Sequence, residues 1–368
     1  MLPLGLIASG FSGEAYARAL TQLPGVELTT VATVPPGRRL AVRASSCASP
    51  AVLAALPSLQ AVVLTSSLVE PYPLIRRALV HGKHVLAAGS FTLSADQVQR
   101  LSTLAKRSGR LLMFAEERML SPSFALLADT TKGAARTSLR YLRLLDVRPR
   151  HREGALRLDA VVAEGLALCM RLVERTPRSV SAVAAGQSGG PAEAVFITVV
   201  YPGGLVASLQ VSMSEDWEAR QVVASMEGRT LMLDELDYRT PLRIVSASQR
   251  TRREAAGTHS PDGTAWQTGS LALAALPGDP TLEQCRNFLD AVTGRRVGAV
   301  NAEFWGQVAR LWEAAERSMA LAGAPVPPEA GPQRSEAKNG TPHLYVIRGR
   351  EQPASSTSPR PALTLVSV

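Results

Sequence analysis

The stretch LGLIASGFSGEAYARAL, residues 4–20, decides the fold prediction. An apolar run is followed by two glycines, Gly10 and Gly13, and then by apolar residues at helical spacing. This order is typical of a strand, a tight turn and a helix that form the phosphate loop of a dinucleotide-binding domain, although Ala8 stands at the first glycine of G-x-G-x-x-G. The alternative is a close turn that binds no ligand. The predicted cofactor-binding residues of the loop are Ser9, Gly10, Phe11, Ser12 and Gly13.

Strand and helix patterns alternate through residues 1–122. Short apolar runs such as LQAVVLTSS predict buried parallel strands, and RLLMFAEERM, residues 110–119, predicts a further strand. Between the runs lie helical segments, one of which has Ser94 as the predicted N-cap and Gly109 as its stop. Repeated βα units of this length predict an α/β Rossmann domain with a doubly wound parallel sheet.

Residues 123–328 follow a different pattern. One apolar-faced helix over residues 156–174 is followed by consecutive β-runs joined by turns such as YPGG and MEGR, and two helices close the segment. This predicts an α+β domain with an open, mostly antiparallel sheet. Within it, residues 250–279 are polar and are expected to form a loop.

Residues 329–368 are rich in proline, serine and charge, which predicts a disordered tail; a weaker alternative makes the tail the contact element of a scaffold protein. No run approaches the ~20 apolar residues of a membrane helix. The first residues lack a basic segment, so we expect a buried first strand rather than a signal peptide.

Charge and cysteine content narrow the class of protein. The formal net charge is +9, but the basic residues are scattered, so we expect no nucleic-acid partner and a preference for anionic small ligands. The three cysteines, Cys47, Cys169 and Cys285, have no metal-binding spacing, and an odd number favours a reducing, cytoplasmic location. We expect no metal site.

Several longer motifs carry a resemblance to a known family. HGKHVLAAGSFTLSADQ, RNFLDAVTGRR and RLWEAAERSMALAGAPV resemble segments of the glucose–fructose oxidoreductase and inositol dehydrogenase family (Gfo/Idh/MocA), and the likeness extends over residues 2–328. The resemblance implies a Rossmann domain that binds NAD or NADP and a small-molecule substrate, often a sugar or cyclitol, between the domains. It also implies a homo-oligomer, a dimer or tetramer, formed through the second sheet.

The resemblance also shows where this chain departs from the family. The family handles a proton with the lysine of an EKP motif and with a histidine, and those positions are Gly89 and Ala163 here. Neither side chain can act as acid or base. The weak candidates for a rebuilt catalytic group are Glu116 and Asp159, and those for substrate contact are Arg118 and Glu164. The alternative for these residues is a structural salt bridge.

The remaining cofactor contacts are also altered. Where the family has an acid for the ribose 2′-hydroxyl, this chain has Thr33, and Arg38 and Arg39 follow it. Two arginines suit a 2′-phosphate, so NADP is favoured over NAD, with a solvated loop as the alternative. On the nicotinamide side, Ser66 and Ser67 are the candidate contacts.

Two functions remain open from the sequence. The first is a Gfo/Idh/MocA-like NAD(P)-binding oxidoreductase homologue with a degraded catalytic site, weakly or non-catalytic, that acts as a ligand-binding or regulatory module. The second is an active NADP-dependent oxidoreductase on a sugar, cyclitol or imine-like substrate with a rebuilt acid/base site. Loss of both proton-transfer groups, each contributing about 10²- to 10⁴-fold in rate, favours the first.

Overall fold

A computed structural model describes residues 1–37, 40–65, 70–88, 93–131, 139–149, 157–187, 190–249, 266–273, 278–295 and 302–328. Five residues of the sequence predictions, and the predicted tail, lie outside these ranges: Arg38, Arg39, Ser66, Ser67, Gly89 and residues 329–368. No helix of the described residues has both the length and the apolar character needed to cross a membrane.

The first sheet has six parallel strands in the order β3-β2-β1-β4-β5-β6. The central strands are apolar and buried on both faces, as expected for a parallel sheet covered by helices. The predicted Rossmann arrangement is therefore confirmed. The strands are β1 Leu2–Ser9, β2 Val26–Val34, β3 Ser45–Ser46, β4 Ala61–Leu64, β5 His84–Ala87 and β6 Leu112–Phe114.

Six helices connect or follow these strands: α1 Gly10–Gln22, α2 Pro50–Leu53, α3 Pro71–Val80, α4 Ala95–Arg107, α5 Glu117–Leu120 and α6 Pro122–Thr131. The predicted ends of α4 are confirmed. Ser94 accepts a hydrogen bond from the backbone of Gln97, whose side chain accepts from the backbone of Ser94, and Gly109 follows the helix at a φ of +61°.

The prediction of one strand over residues 110–119 is wrong beyond Phe114. The last backbone bond to the sheet runs from Ala115 N–H to Ala87 O, and the next N–H, that of Glu116, donates to the Gln284 side chain at 2.8 Å. Because its backbone leaves the sheet at this point, the chain turns into the short helix α5, and Glu116 precedes that helix instead of ending a strand.

The second sheet has eight strands in the order β14-β13-β12-β11-β7-β10-β9-β8. Only the β7–β10 pair is parallel, so the predicted mostly antiparallel sheet is confirmed. The strands are β7 Leu139–Val147, β8 Ser179–Gly186, β9 Ala192–Val200, β10 Val206–Ser212, β11 Ala219–Met226, β12 Arg229–Asp234, β13 Leu242–Gln249 and β14 Trp266–Leu273.

Two features of this sheet differ from the sequence analysis. Its central strand, β7, was assigned to no element, and residues 250–279 are not all loop because β14 lies within them. β14, WQTGSLAL, carries apolar residues and pairs with β13 along eight residues, so the loop prediction, made from the polarity of the whole segment, fails there.

Three helices complete the described chain: α7 Leu158–Val173, α8 Pro280–Val292 and α9 Ala302–Ala320. α7 covers the inner face of the second sheet closely, because a Cβ at Gly165 would lie 2.8 Å from Leu209 Cδ1. α8 packs against α1, and its Cys285, Phe288 and Leu289 join the core around β1 and α1. α9 contacts α4 and α7, so the last helices bridge the two sheets.

Close packing of α1 on β1 generates the first prediction. A Cβ at Gly13 would lie 2.8 Å from Ala8 Cβ, so we expect Gly13→Ala to reduce the free energy of unfolding by about 1–3 kcal/mol through overpacking. The double variant Ala8→Gly/Gly13→Ala should be more stable, by about 1 kcal/mol, than the sum of the two single-variant losses predicts, because Ala8→Gly removes the methyl group that the new Cβ meets. Urea unfolding of the four proteins measures this coupling, and strict additivity would contradict the contact.

Candidate functional site

The first part of the candidate site is the crevice at the carboxyl ends of β1 and β4. The sheet order reverses direction between these two strands, which is the position where open α/β sheets bind ligands. Thr65 ties the strand ends together: its buried Oγ1 accepts from Ser9 N–H at 2.7 Å and lies 3.4 Å from both Ile7 O and Ser9 O. The sequence analysis did not single out Thr65.

The glycine loop lies at this crevice. Gly10 begins α1 at a φ of +54°, and Gly13 lets the first turn pack on Ala8. Ser9 makes no side-chain cap for α1, since its hydroxyl donates to Val34 O at 3.0 Å. The first turn also carries no acidic residue. Backbone N–H groups at such a helix start favour an anion, so the residues present fit a phosphate group.

The other predicted loop residues lie near it. Phe11 is 77% exposed in the first turn of α1, and Ser12 is half-buried beside it. Thr33 pairs with Ala8 in the β1–β2 register, one residue before the Ser9–Val34 pair. The structure therefore brings the loop and the end of β2 together, as the sequence predicted.

The second part of the site is a cluster of charged side chains between the two sheets, called here the ion cluster and formed by Arg118, Asp146, Arg148, Glu164 and Glu235. Arg118 Nη1 lies 2.8 Å from Asp146 Oδ2 and 3.5 Å from Glu164 Oε2. Its Nε and Nη2 bind Glu235 at 3.0 and 2.9 Å. Arg118 follows the first sheet, whereas the carboxylates lie on β7, on α7 and after β12.

Arg148 is the second cation of the ion cluster. Its Nε lies 2.7 Å from Asp146 Oδ1, and its Nη2 lies 2.8 Å from Glu164 Oε2. The Asp146 side chain is fully buried, and both arginine side chains are only 15% exposed. The cluster is thus a network of charge-assisted bonds in a largely dry environment.

The charges of the cluster stabilise one another. Burial opposes ionisation of Asp146, but Arg118 and Arg148 outweigh it and lower the pKa of that carboxyl. Burial likewise disfavours the Arg118 cation, and Glu235, Asp146 and Glu164 outweigh it and raise the pKa of the guanidinium. Both groups therefore keep their charge, and neither is suited to exchange a proton near neutral pH.

Of the predicted catalytic candidates, Glu116 precedes α5 and Asp159 lies in the first turn of α7. Asp159 begins α7, where its carboxylate accepts from Arg157 Nε at 3.0 Å and from the Ala160 N–H at 2.8 Å. Ala163, on the same helix, is 6% exposed. Burial, reinforced by Asp159 and Glu313, raises the pKa of Glu316 on α9 to about 7, so the structure adds a carboxyl of perturbed acidity beside Asp159.

Glu117 forms a separate link to the first domain. The buried Tyr16 hydroxyl on α1 donates a short hydrogen bond to Glu117 Oε1. Burial raises the pKa of Glu117 although this bond lowers it. The sequence analysis noted Glu117 only as a neighbour of Glu116, and Tyr16 lies 101 positions away in the chain.

Sequence reasoning missed several residues of this region. Asp146, Arg148 and Glu235 complete the ion cluster, and Trp305 lines a pocket beside it. No sequence pattern indicated Asp146 or Arg148, because the sequence analysis predicted no strand at β7. No group of three or more His, Cys, Asp or Glu side chains within the described ranges is arranged to hold a metal ion.

The fold is that of Gfo/Idh/MocA-type oxidoreductases, and the resemblance seen in the sequence is confirmed at this level. UDP-N-acetylglucosamine 3-dehydrogenase GnnA from Acidithiobacillus ferrooxidans superimposes with a TM-score of 0.70 at 19% identity, over 87% of this chain and 98% of GnnA. GenD2 from gentamicin A biosynthesis, solved in complex with NAD, has a TM-score of 0.70 at 19% identity, over 88% of this chain and 95% of GenD2.

A probable dehydrogenase from Thermotoga maritima has a TM-score of 0.68 at 16% identity, over 89% of this chain and 99% of that protein. Among curated proteins, the uncharacterized oxidoreductase YdgJ of Escherichia coli (strain K12) is 28% identical over 137 residues. That match spans 35% of this chain and 40% of YdgJ. No protein-family model matches the sequence.

The ion cluster generates the second prediction. Arg118→Met removes one of the two cations that face buried Asp146, so we expect the free energy of unfolding to fall by about 3–5 kcal/mol. The matched control is Arg140→Met, because Arg140 and Glu227 form a pair whose side chains are 66% and 71% exposed, and we expect a loss below about 1 kcal/mol. Equal losses in denaturant unfolding would show that the cluster does not stabilise the junction.

Proposed function

We propose that this chain binds a nicotinamide dinucleotide at the β1–α1 crevice and acts as a ligand-binding or regulatory module with weak or no hydride transfer. The observation that carries the proposal is the ion cluster, in which two arginines and three carboxylates bind one another. These five side chains therefore stabilise the junction between the two sheets by binding one another. A bound cofactor would supply hydride chemistry, and this chain's own residues would position it.

The binding half of the proposal is supported by the loop. Gly10 and Gly13 hold the backbone close to the place of a pyrophosphate, and α1 presents its N-terminus there. GenD2, which was solved in complex with NAD, supports a nicotinamide cofactor by analogy of fold. We infer NADP rather than NAD, because Thr33 offers no carboxylate to a 2′-hydroxyl and Arg38 and Arg39 follow it in sequence.

A second candidate function is an NADP-dependent oxidoreductase with a rebuilt acid/base site. It is favoured by one observation, the Glu316 carboxyl whose pKa burial raises to about 7 near Asp159. The substrate would be a sugar, cyclitol or imine-like compound. Oxidation of any such compound with reduction of NADP⁺ at a steady rate, followed at 340 nm, would establish this function and remove the first.

The cofactor proposal generates the third prediction. NADPH at about 100 times its dissociation constant should stabilise the protein by about 2.7 kcal/mol and raise its melting temperature, and NADH should do so less. Gly10→Ala should weaken NADPH at least tenfold, because a methyl group then occupies the place where the backbone approaches the pyrophosphate.

The control for this variant is Gly228→Ala. Gly228 has a φ of +74° in the β11–β12 turn and has open space around its Cα, so the substitution causes similar backbone strain far from the loop. Its NADPH affinity should equal that of the original protein. An unchanged melting temperature with both NADPH and NADH would refute the cofactor proposal.

We also propose that the protein is a cytoplasmic homo-oligomer, a dimer or tetramer, that pairs through the open face of the second sheet. Four large apolar residues of that face are 37–41% exposed: Tyr141, Val183, Phe196 and Met232. A cluster of exposed apolar side chains on one face of a chain is typical of a surface that associates with another chain. The free state of Cys47, Cys169 and Cys285 suits a reducing compartment.

The oligomer generates the fourth prediction. Phe196→Glu places a charge among the apolar residues of the face, so light scattering should report a single chain where the original protein gives a dimer or tetramer. Leu321→Glu is the control, since Leu321 is 60% exposed beyond α9 and off the sheet. A monomeric original protein would contradict the proposal.

A further inference from the structure

A cavity of about 420 Å³, called here the α7–α9 cleft, lies at the carboxyl end of α7. This volume is within the range of about 300–1,000 Å³ that is typical of small-ligand sites. The last turn of α7, the segment that leads to β8, the first half of α9 and Pro328 form its walls. The proposed function assigns it no ligand. Among its lining residues are Met170, Arg171, Phe304, Gln307, Arg310 and Leu311.

The cleft is separate from the ion cluster, although α7 contributes to both. Arg171 follows Glu164 by seven residues, which corresponds to about 10 Å along a helix. Asp159 lies in the first turn of α7, whereas the residues of α7 that line the cleft lie in its last turns. A ligand in the cleft would therefore contact the end of α7 that is remote from the predicted catalytic candidates.

Two arginine side chains of the cleft lack a counter-ion in the chain. Arg171 on α7 and Arg310 on α9 are exposed, and neither forms an ion pair within the described part of the chain. The other charged lining residues, Glu174 and Arg175, have further partners and carry opposite charges. Arg175, for example, donates to Pro202 O at 3.5 Å. The charge balance of the lining is therefore set by Arg171 and Arg310.

The carboxyl end of α7 reduces this positive charge without cancelling it. A helix carries about half a negative charge at its C-terminus, where its last carbonyl groups lack partners within the helix. One of these groups, Met170 O, already accepts from Glu174 N–H. Two guanidinium groups against half a negative charge leave roughly +1.5 charges. The cleft therefore favours an anion with more than one negative charge.

Apolar side chains form another part of the wall. Met170 and Leu311 are 9% and 1% exposed, and Phe304 is half-buried with its ring centroid 6.0 Å from that of Trp305. An inorganic ion would leave this surface in contact with water. An anion that carries an apolar group would cover the surface, which is favourable in proportion to the apolar area removed from water.

We propose that the α7–α9 cleft binds a phosphate monoester whose organic part is apolar. Its phosphate group accepts hydrogen bonds from Arg171, Arg310 and the Gln307 amide, and its organic part lies against Phe304 and Leu311. A phosphate monoester carries about −1.5 to −2 charges at pH 7 and has three acceptor oxygens, which suit two guanidinium groups. This second site goes beyond the proposed function and does not depend on it.

The test compares phenyl phosphate with two probes that each lack one of its features. Phenyl sulfate has the same shape with one negative charge, and inorganic phosphate has no ring. Calorimetric titration at pH 8 and low ionic strength, in a buffer free of phosphate, measures the three dissociation constants. Phenyl phosphate should bind about tenfold more tightly than either probe. Equal affinity for phenyl phosphate and one of the probes, or no measurable binding of phenyl phosphate, would overturn the inference.

The pH dependence of binding identifies the doubly charged form. The second pKa of a phosphate monoester is about 6, so the affinity for phenyl phosphate should fall about tenfold between pH 8 and pH 5. Phenyl sulfate should not weaken, because arginine keeps its charge throughout this range. Glu174 would act in the opposite direction, since its protonation removes a negative charge from the cleft. An equal fall for phenyl sulfate would contradict recognition of the dianion.

Three variants locate the bound phosphate. Arg171→Gln and Arg310→Gln should each weaken phenyl phosphate about tenfold. Both side chains are exposed, so we expect both variants to fold, which circular dichroism checks. Arg107→Gln is the matched control, because Arg107 is exposed in the last turn of α4 and does not line the cleft. Its affinity should stay unchanged, and equal losses in all three variants would show an effect of net charge and refute the site.

The glycine loop at the β1–α1 crevice is a second place where a phosphate group could bind, and Gly10→Ala separates the two. If Gly10→Ala weakens phenyl phosphate and the variants of Arg171 and Arg310 do not, the ligand lies in the crevice and this inference fails while the cofactor proposal stands. If only the arginine variants weaken it, the cleft site stands, whether or not the protein binds NADPH.

Discussion

The buried carboxylate of Asp146 is the constraint on which the junction between the two sheets depends. A fully buried charge costs several kcal/mol unless it is paired and hydrogen-bonded. Arg148 directly follows β7, the strand that carries Asp146, but Arg118 belongs to the segment that leaves the first sheet. Because Asp146 requires both cations, the two sheets are held together by charge as well as by the apolar contacts of α8 and α9.

The same constraint limits the chemistry of the junction. The Nε, Nη1 and Nη2 atoms of Arg118 all bind carboxylates, so this group cannot polarise a substrate hydroxyl without giving up a partner. These carboxylates outweigh the effect of burial and raise the pKa of the Arg118 guanidinium, so it stays charged at neutral pH. Arg118 therefore keeps its proton and Asp146 stays ionised, so neither group is suited to exchange a proton near neutral pH.

Local patterns in the sequence predicted the elements whose own residues decide their structure. The β1–α1 turn carries its glycines and α4 its capping residues, and both formed as expected. β7 escaped prediction because Arg140 and Arg143, three positions apart in LRYLRLLDV, interrupt a regular alternation of apolar and polar residues, and because its partners β10 and β11 lie more than 50 residues away. Arg118 and Glu164 were identified from the sequence, but their further partners Asp146, Arg148 and Glu235 were not, because two of these lie on or beside the unassigned β7 and Glu235 is 117 positions from Arg118.

The two halves of the candidate site are built from different parts of the chain, the backbone in one and side chains in the other. The crevice is formed by backbone: a helix N-terminus, the φ of Gly10 and the hydrogen bonds of Thr65 to β1. A substitution such as Ala8 adds one methyl group and leaves these intact. Proton transfer needs particular side chains, and the buried Ala163 offers none. Likeness of fold therefore supports an argument for binding more strongly than an argument for reaction.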